Sequence, residues 1–153
     1  MLVEPEIPHN TGAIGRLCVA TGATLHLVGR LGFHLNERAI RRSGLDYWQH
    51  VNLHQHASFE AFRQFYDGPV HLYSARAIKS YTTAPIPRRI ALVFGSETRG
   101  LPATLLQGND AAYRIPIYDE RVRSLNLATA VGIVLFDAVR QLDEAAAKEE
   151  QLS

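Results

Sequence analysis

The chain has 153 residues, 46% of them apolar and 20% charged, with a single cysteine and a formal charge of +1. That length suits one domain whose core buries roughly 70% of the unfolded surface, and the composition disfavours disorder. One Cys excludes an internal disulfide framework, and no apolar run approaches the roughly 18 residues of a membrane span, so a cytoplasmic location is expected.

Charge is unevenly spread. Asp143–Ser153 carries four acids and one Lys, leaving 15 basic against 11 acidic residues before it, and fourteen of the sixteen basic residues are Arg. Guanidinium groups suit bidentate phosphate contacts, which fits a nucleic-acid partner without requiring one.

In chain order, "MLVEPE" offers barely three residues for a first strand before Pro5, so that strand is stubby or starts upstream. "NTGAIGRLCVATGA" predicts a helix with Thr11 as N-cap, Ile14, Leu17, Cys18 and Thr21 on one face, and Gly22 as its stop. Cys18 on that face reads as a plain core residue. "TLHLVG" reads as a strand, "NERAIRRSG" as a short helix from Asn36 to Gly44, and "HVNL" as a weak strand. Ser58 caps "FEAFRQFY", with Phe59, Phe62, Phe65 and Tyr66 as its apolar side. "VHLYS" is a strand followed by a polar connection to Pro87, and the unbroken apolar run Ile90–Phe94 is a strand of the kind buried on both faces. "LPATLLQG" is a short helix with Pro102 near its first turn, and the stretch at Ile115 begins like a buried strand. Alternating strands and helices predict an α/β domain with a mainly parallel sheet. One domain over 1–153 is expected, with 142–153 as a frayed acidic tail.

Three polar loops follow predicted strands: Glu4–Arg16, Gly95–Pro102 and Tyr118–Asn126. In an open parallel sheet such loops gather at the carboxyl edge, where ligands bind. "FGSETRGLP" would let a ligand approach the backbone at Gly95 and Gly100 without meeting a Cβ, yet it is neither a Walker A loop nor a G-x-G-x-x-G turn. "NTGAIGR" sets Asn10 and Thr11 at a helix start, with Arg16 further along. "YDERVRSLN" places Arg121, Arg123, Ser124 and Asn126 ahead of a helix, with Ser124 or Asn126 as its cap. That helix repeats Leu127, Val131, Val134, Leu135, Ala138 and Leu142 at three- and four-residue spacing, while Ile133 and Phe136 fall on the opposite side. One core cannot bury both faces, so the second face predicts a subunit interface, most simply of a symmetric homodimer.

Taken together and in this order, "EPEIPHNTGAIGR", "FGSETRGLP" and "RIPIYDERVRSLNLATAVGIVLFDA" resemble the three motifs of the SPOUT-superfamily RNA methyltransferases. The match is to the small single-domain branch, the tRNA (cytidine/uridine-2'-O)-methyltransferases that act at the wobble nucleotide, and it covers nearly Met1–Leu142. Ser96 stands where Pro is common in that branch, and the third loop is a residue longer. The resemblance implies an α/β sheet with a C-terminal deep trefoil knot, S-adenosylmethionine as cofactor, and a homodimer that completes each site. It implies a cofactor pocket of Tyr73, Ser74, Gly95, Glu97, Gly100, Ile115, Ser124, Leu125 and Asn126. It also implies Arg16 as the main catalytic residue, with Asn10 and Ser124 orienting the array and Glu97 positioning the second loop.

The implied substrate is tRNA, through its anticodon stem-loop, with Arg16, Arg41, Arg42, Arg99, Arg121 and Arg123 as phosphate contacts. Tyr47 and Trp48 are candidates for base stacking or for packing. His50, His54 and His56 have no Cys or acid at ligand spacing, so no metal is expected. The competing readings are a non-catalytic RNA-binding dimer of the same fold, a methyltransferase acting at another tRNA or rRNA position, and a flavodoxin-like nucleotide enzyme.

Overall fold

Successive side chains on a strand point to opposite sides, so a run that is apolar throughout needs cover on both faces. The computed structural model describes residues 1–35 and 46–152, and in it those runs form a seven-stranded sheet. Its strands are β1 (Leu2–Val3), β2 (Leu25–Val28), β3 (Leu53–His56), β4 (Val70–Tyr73), β5 (Lys79–Ser80), β6 (Ala91–Phe94) and β7 (Ala112–Arg114). They lie in the order β3-β2-β1-β6-β4-β7-β5, and every pairing is parallel. The helices are α1 (Pro8–Thr21), α2 (Phe59–Phe65), α3 (Ala103–Leu106) and α4 (Leu127–Gln151). The expected helix Asn36–Gly44, with Arg41 and Arg42, lies outside the described residues.

The alternation divides the core in two. Leu2, Leu27, Tyr73 and Phe94 face Ile14 and Cys18 of α1 and Leu127, Val131 and Val134 of α4. Their chain neighbours Val3, Val28, Leu72 and Val93 face the other way, onto Phe62 of α2, Tyr66 and Leu101. Phe62 is fully enclosed, and burial of such a ring contributes about 2–3 kcal/mol.

Several expected boundaries move, each for a local reason. Helix α1 starts at Pro8, a full turn before the expected cap, because a proline in the first turn has the helical φ and no N–H to satisfy. Thr11 is therefore inside the helix and buried, and is not its cap. Gly22 ends α1 in the left-handed conformation at φ 70°. Ser58 caps α2 through Ala61 N–H, and Asn126, not Ser124, caps α4 through Thr129 N–H. The weak strand expected at His50–Leu53 begins only at Leu53, after a 3-10 turn over Asp46–His50. The strand expected at Ile115 instead ends at Arg114. β7 is paired on both sides, and Pro116 has no N–H for such a ladder. Helix α4 runs through Gln151, past the boundary expected near Leu142.

Candidate active site

Because all the strands are parallel, the loops after β1, β4, β6 and β7 meet at one edge of the sheet. They surround a cleft of about 430 Å³, within the ~300–1,000 Å³ of small-molecule sites. Tyr73 and Ser74 reach it from the end of β4, and Gly95, Glu97 and Gly100 from the loop after β6. Ile115, Ser124, Leu125 and Asn126 line it from the segment between β7 and α4, and Asn10 from α1. Every residue expected to hold a cofactor thus lies on this one cleft.

The loop after β6 folds back on itself so closely at Gly95 that only a glycine fits there. A Cβ at Gly95 would lie 1.9 Å from the carbonyl carbon of Gly100 and 2.1 Å from the amide nitrogen of Leu101. Gly100, at φ 66°, donates its N–H back to Ser96 at 2.9 Å, and Ser96 Oγ accepts from Arg99 N–H.

Glu97 ties this loop to the first one. Its carboxylate accepts from the backbone N–H of Glu6 at 2.7 Å and of Ile7 at 3.1 Å, and from Asn10 Nδ2 at 3.1 Å. The negative charge therefore sits at the N-terminus of α1, where the helix dipole and the orphan N–H groups favour it. The buried amide of Asn10 then accepts, through Oδ1, from Asn126 Nδ2 at 2.9 Å. Since Asn126 caps α4, one continuous chain of hydrogen bonds joins the second loop to α1 and to the third loop. Glu6 returns the contact: its carboxylate accepts from Thr98 Oγ1 at 2.7 Å and from Thr98 N–H at 3.1 Å. These bonds hold the Glu6 carboxyl below its ordinary pKa.

The arginines divide. Arg99, expected on RNA phosphate, is engaged by the first loop, with Nη2 3.2 Å from Glu4 and Nε 3.8 Å from Glu6. Arg121 is exposed and forked onto Asp119, and Arg123 is exposed. Arg16 does not line the cleft. It lies six residues beyond Asn10, about 240° around the helix and about 9 Å along it, so it leaves α1 on another side. Its guanidinium sits 4.6 Å from the centre of the Tyr47 ring.

Arg76 was not among the expected residues. It follows Ser74 on the loop after β4, lines the cleft, and donates from Nη2 to the carbonyls of Arg99 and Leu101. Only its place just past a strand end could have marked it. Glu6 was likewise missed, because an acid in a turn gives no sign of which backbone it will bind.

The histidines of β3 pack elsewhere. His54 and His56 stack on His26 with ring centroids 5.2 Å apart, beside Phe62 and Phe65, and His26 Nδ1 is 2.9 Å from His56 Nε2. Parallel stacked rings do not converge their lone pairs on one point, and no group of three metal-binding side chains occurs among the described residues.

Comparison with known proteins places this geometry. The model of the SpoU rRNA Methylase family matches residues 1–136. A tRNA (cytidine(34)-2'-O)-methyltransferase of Saccharophagus degradans is 41% identical over 152 residues, 97% of each chain. A structure solved for insight into the 2-OH methylation of C/U34 on tRNA superposes with a TM-score of 0.87 at 43% identity, covering 94% of both chains. An rRNA methyltransferase of Sinorhizobium meliloti, solved with AdoMet bound, gives a TM-score of 0.79 at 28% identity over 92% of this chain and 55% of that one.

Proposed function

The chain belongs to the SpoU rRNA methylase family, and on that premise we propose that it transfers the methyl group of S-adenosylmethionine to a ribose 2'-hydroxyl of tRNA, at the wobble nucleotide of the anticodon loop. The observation that carries the reading is the hydrogen-bonded chain Asn126–Asn10–Glu97, which draws three loops distant in sequence around one cleft. The cleft suits this cofactor. Gly95 and Gly100 line it without a Cβ, and Ile115 and Leu125 offer apolar surface to a flat base. Tyr73, Ser74, Gly95, Glu97, Gly100, Ile115, Ser124, Leu125 and Asn126 would hold it.

The bound cofactor supplies an electron-poor methyl group on a sulfonium sulfur. A ribose 2'-hydroxyl is a very weak acid, so the protein has to hold it in line and favour negative charge on its oxygen. Among the described residues lining the cleft, the sole carboxylate is Glu97, whose two oxygens already accept three hydrogen bonds, and no histidine lines it. A general base inside the cleft is therefore disfavoured, and the proton leaves to a neighbouring phosphate or to water. Arg16, always charged, acts as the cation that stabilises the developing alkoxide. Ser124, exposed at the rim, orients the ribose.

Arg16 points away from its own cleft, and Phe136 on α4 is half exposed. Both are accounted for by a homodimer through the α4 face carrying Ile133 and Phe136, in which Arg16 completes the partner's site. Arg41, Arg42, Arg121 and Arg123 then meet the tRNA backbone, with Arg99 joining if phosphate displaces Glu4 and Glu6. A deep trefoil knot agrees with β7 lying between the earlier strands β4 and β5. No helix among the described residues is long and apolar enough to cross a membrane, and tRNA as substrate puts the protein in the cytoplasm.

Calorimetry with S-adenosylmethionine followed by methyl transfer to unmodified tRNA tests the reading. The wild type is expected to do both. Arg16→Ala is expected to abolish transfer while cofactor affinity stays within a few-fold, and normal turnover in that variant would remove Arg16 from the mechanism.

A further inference from the structure

We propose that Tyr47 is the positioning residue of Arg16, holding its guanidinium out from α1 in the pose used at the reacting ribose; this rests on the role given to Arg16 above. Arg16 is exposed and has a long flexible stem, so left alone its charged end would sample many positions. Two contacts of Tyr47 restrict it. The ring lies under the guanidinium at 4.6 Å, and the hydroxyl donates at 3.0 Å to the carbonyl of Gly12, one helical turn before Arg16. Tyr47 thus grips the same turn of α1 at the backbone and at the side chain, so the ring cannot swing away without breaking a bond.

The neighbouring sequence is built to allow this. A Cβ at Gly15 would lie 2.5 Å from Trp48 Cζ3, so the glycine just before Arg16 is what lets the 3-10 turn Asp46–His50 dock against α1. Trp48 fills that seat as a packing residue, which frees Tyr47 to face Arg16. The ring face that meets the guanidinium is taken, so a nucleobase could not stack there without displacing Arg16.

The test compares Tyr47→Leu, Tyr47→Phe and the double variant Arg16→Ala/Tyr47→Leu in methyl transfer to tRNA, with calorimetry for the cofactor and thermal melts for the fold. Loss of the ring is expected to lower kcat roughly two- to fivefold, the range of an exposed cation–π contact. Cofactor affinity and KM for tRNA should stay within about twofold. Y47F, which keeps the ring face, should restore most of the rate. The double variant should bind tRNA as tightly as Arg16→Ala alone, because without the guanidinium Tyr47 has nothing left to position. The inference is overturned if Y47L turns over normally while Arg16→Ala is dead, or if adding Y47L to Arg16→Ala weakens tRNA binding by calorimetry, which would make Tyr47 an RNA contact. Should Y47L fail to fold, Tyr47→Met combined with Arg16→Lys, two changes that each remove the stacked pair, carries the non-additivity test through the rate. Normal turnover by Arg16→Ala would remove the role of Arg16 itself, and with it anything for Tyr47 to position.

Discussion

A methyl group added at Gly95 has nowhere to go, since its neighbours at 1.9 and 2.1 Å are backbone atoms of Gly100 and Leu101. Gly95→Ala should open the turn, cost about 1–3 kcal/mol of stability, and weaken S-adenosylmethionine binding more than about tenfold; calorimetry beside a urea melt measures both. Glu97→Gln keeps the shape but replaces an anion that accepts three hydrogen bonds with a neutral group that also donates. A loss of about 1–3 kcal/mol is expected in a urea melt, and an unchanged midpoint would show that the carboxylate does not bind the loops together. The histidines set an acid limit. Burial, reinforced by the Met1 ammonium and then by His56 and His54, lowers the His26 pKa to about 4, and burial also lowers those of His56 and His71. Each is depressed in the folded state, so the unfolded chain binds more protons below the ordinary value of 6.5. Their contribution is complete above that pH and is lost as pH falls toward 4. The melting temperature should therefore begin to drop below about pH 6.5, before carboxylates titrate, and a flat profile down to pH 5 would contradict this.

Helices and strands show what local chemistry can and cannot announce. Ser58, Gly22 and Asn126 end or begin their helices as their side chains and backbone freedom suggest, because a cap needs only neighbours within one turn. Thr11 had the right chemistry, but Pro8 started the helix before it. β5, with two residues, carries too short a pattern to be read, and its place in the sheet depends on pairing with β7 more than thirty residues away. The residues of the cleft were legible because the family's motifs name them. Arg76 and Glu6 were not, because both act on the backbone of a distant loop. The departure of Arg16 from the cleft follows from helical geometry once the start at Pro8 is known. Asn126 offers a test at this scale, since it both caps α4 and bonds Asn10. Asn126→Ala should cost about 1 kcal/mol or more and reduce cofactor affinity. Asn126→Asp should keep the cap but lose the Asn10 link, so it should recover stability ahead of affinity; equal effects of the two changes would mean the link does nothing for the site.

The whole molecule presents a carboxyl edge built for a small cofactor and an α4 flank that a single chain leaves partly bare. Phe136 is 50% exposed, and a charge there should break a symmetric pair that brings the residue close to its own copy. Phe136→Glu is expected to halve the mass seen by light scattering and to lose methyl transfer while the cofactor still binds; a variant that stays dimeric would move the interface elsewhere. The central claim is that the three joined loops support methylation of a ribose oxygen in tRNA. The direct measurement is mass spectrometry of nucleosides from unmodified tRNA incubated with the protein and isotopically labelled S-adenosylmethionine. The account predicts one labelled methyl on a ribose 2'-oxygen in the anticodon loop, whereas label on a base, or none in tRNA with a folded and cofactor-bound protein, would contradict it.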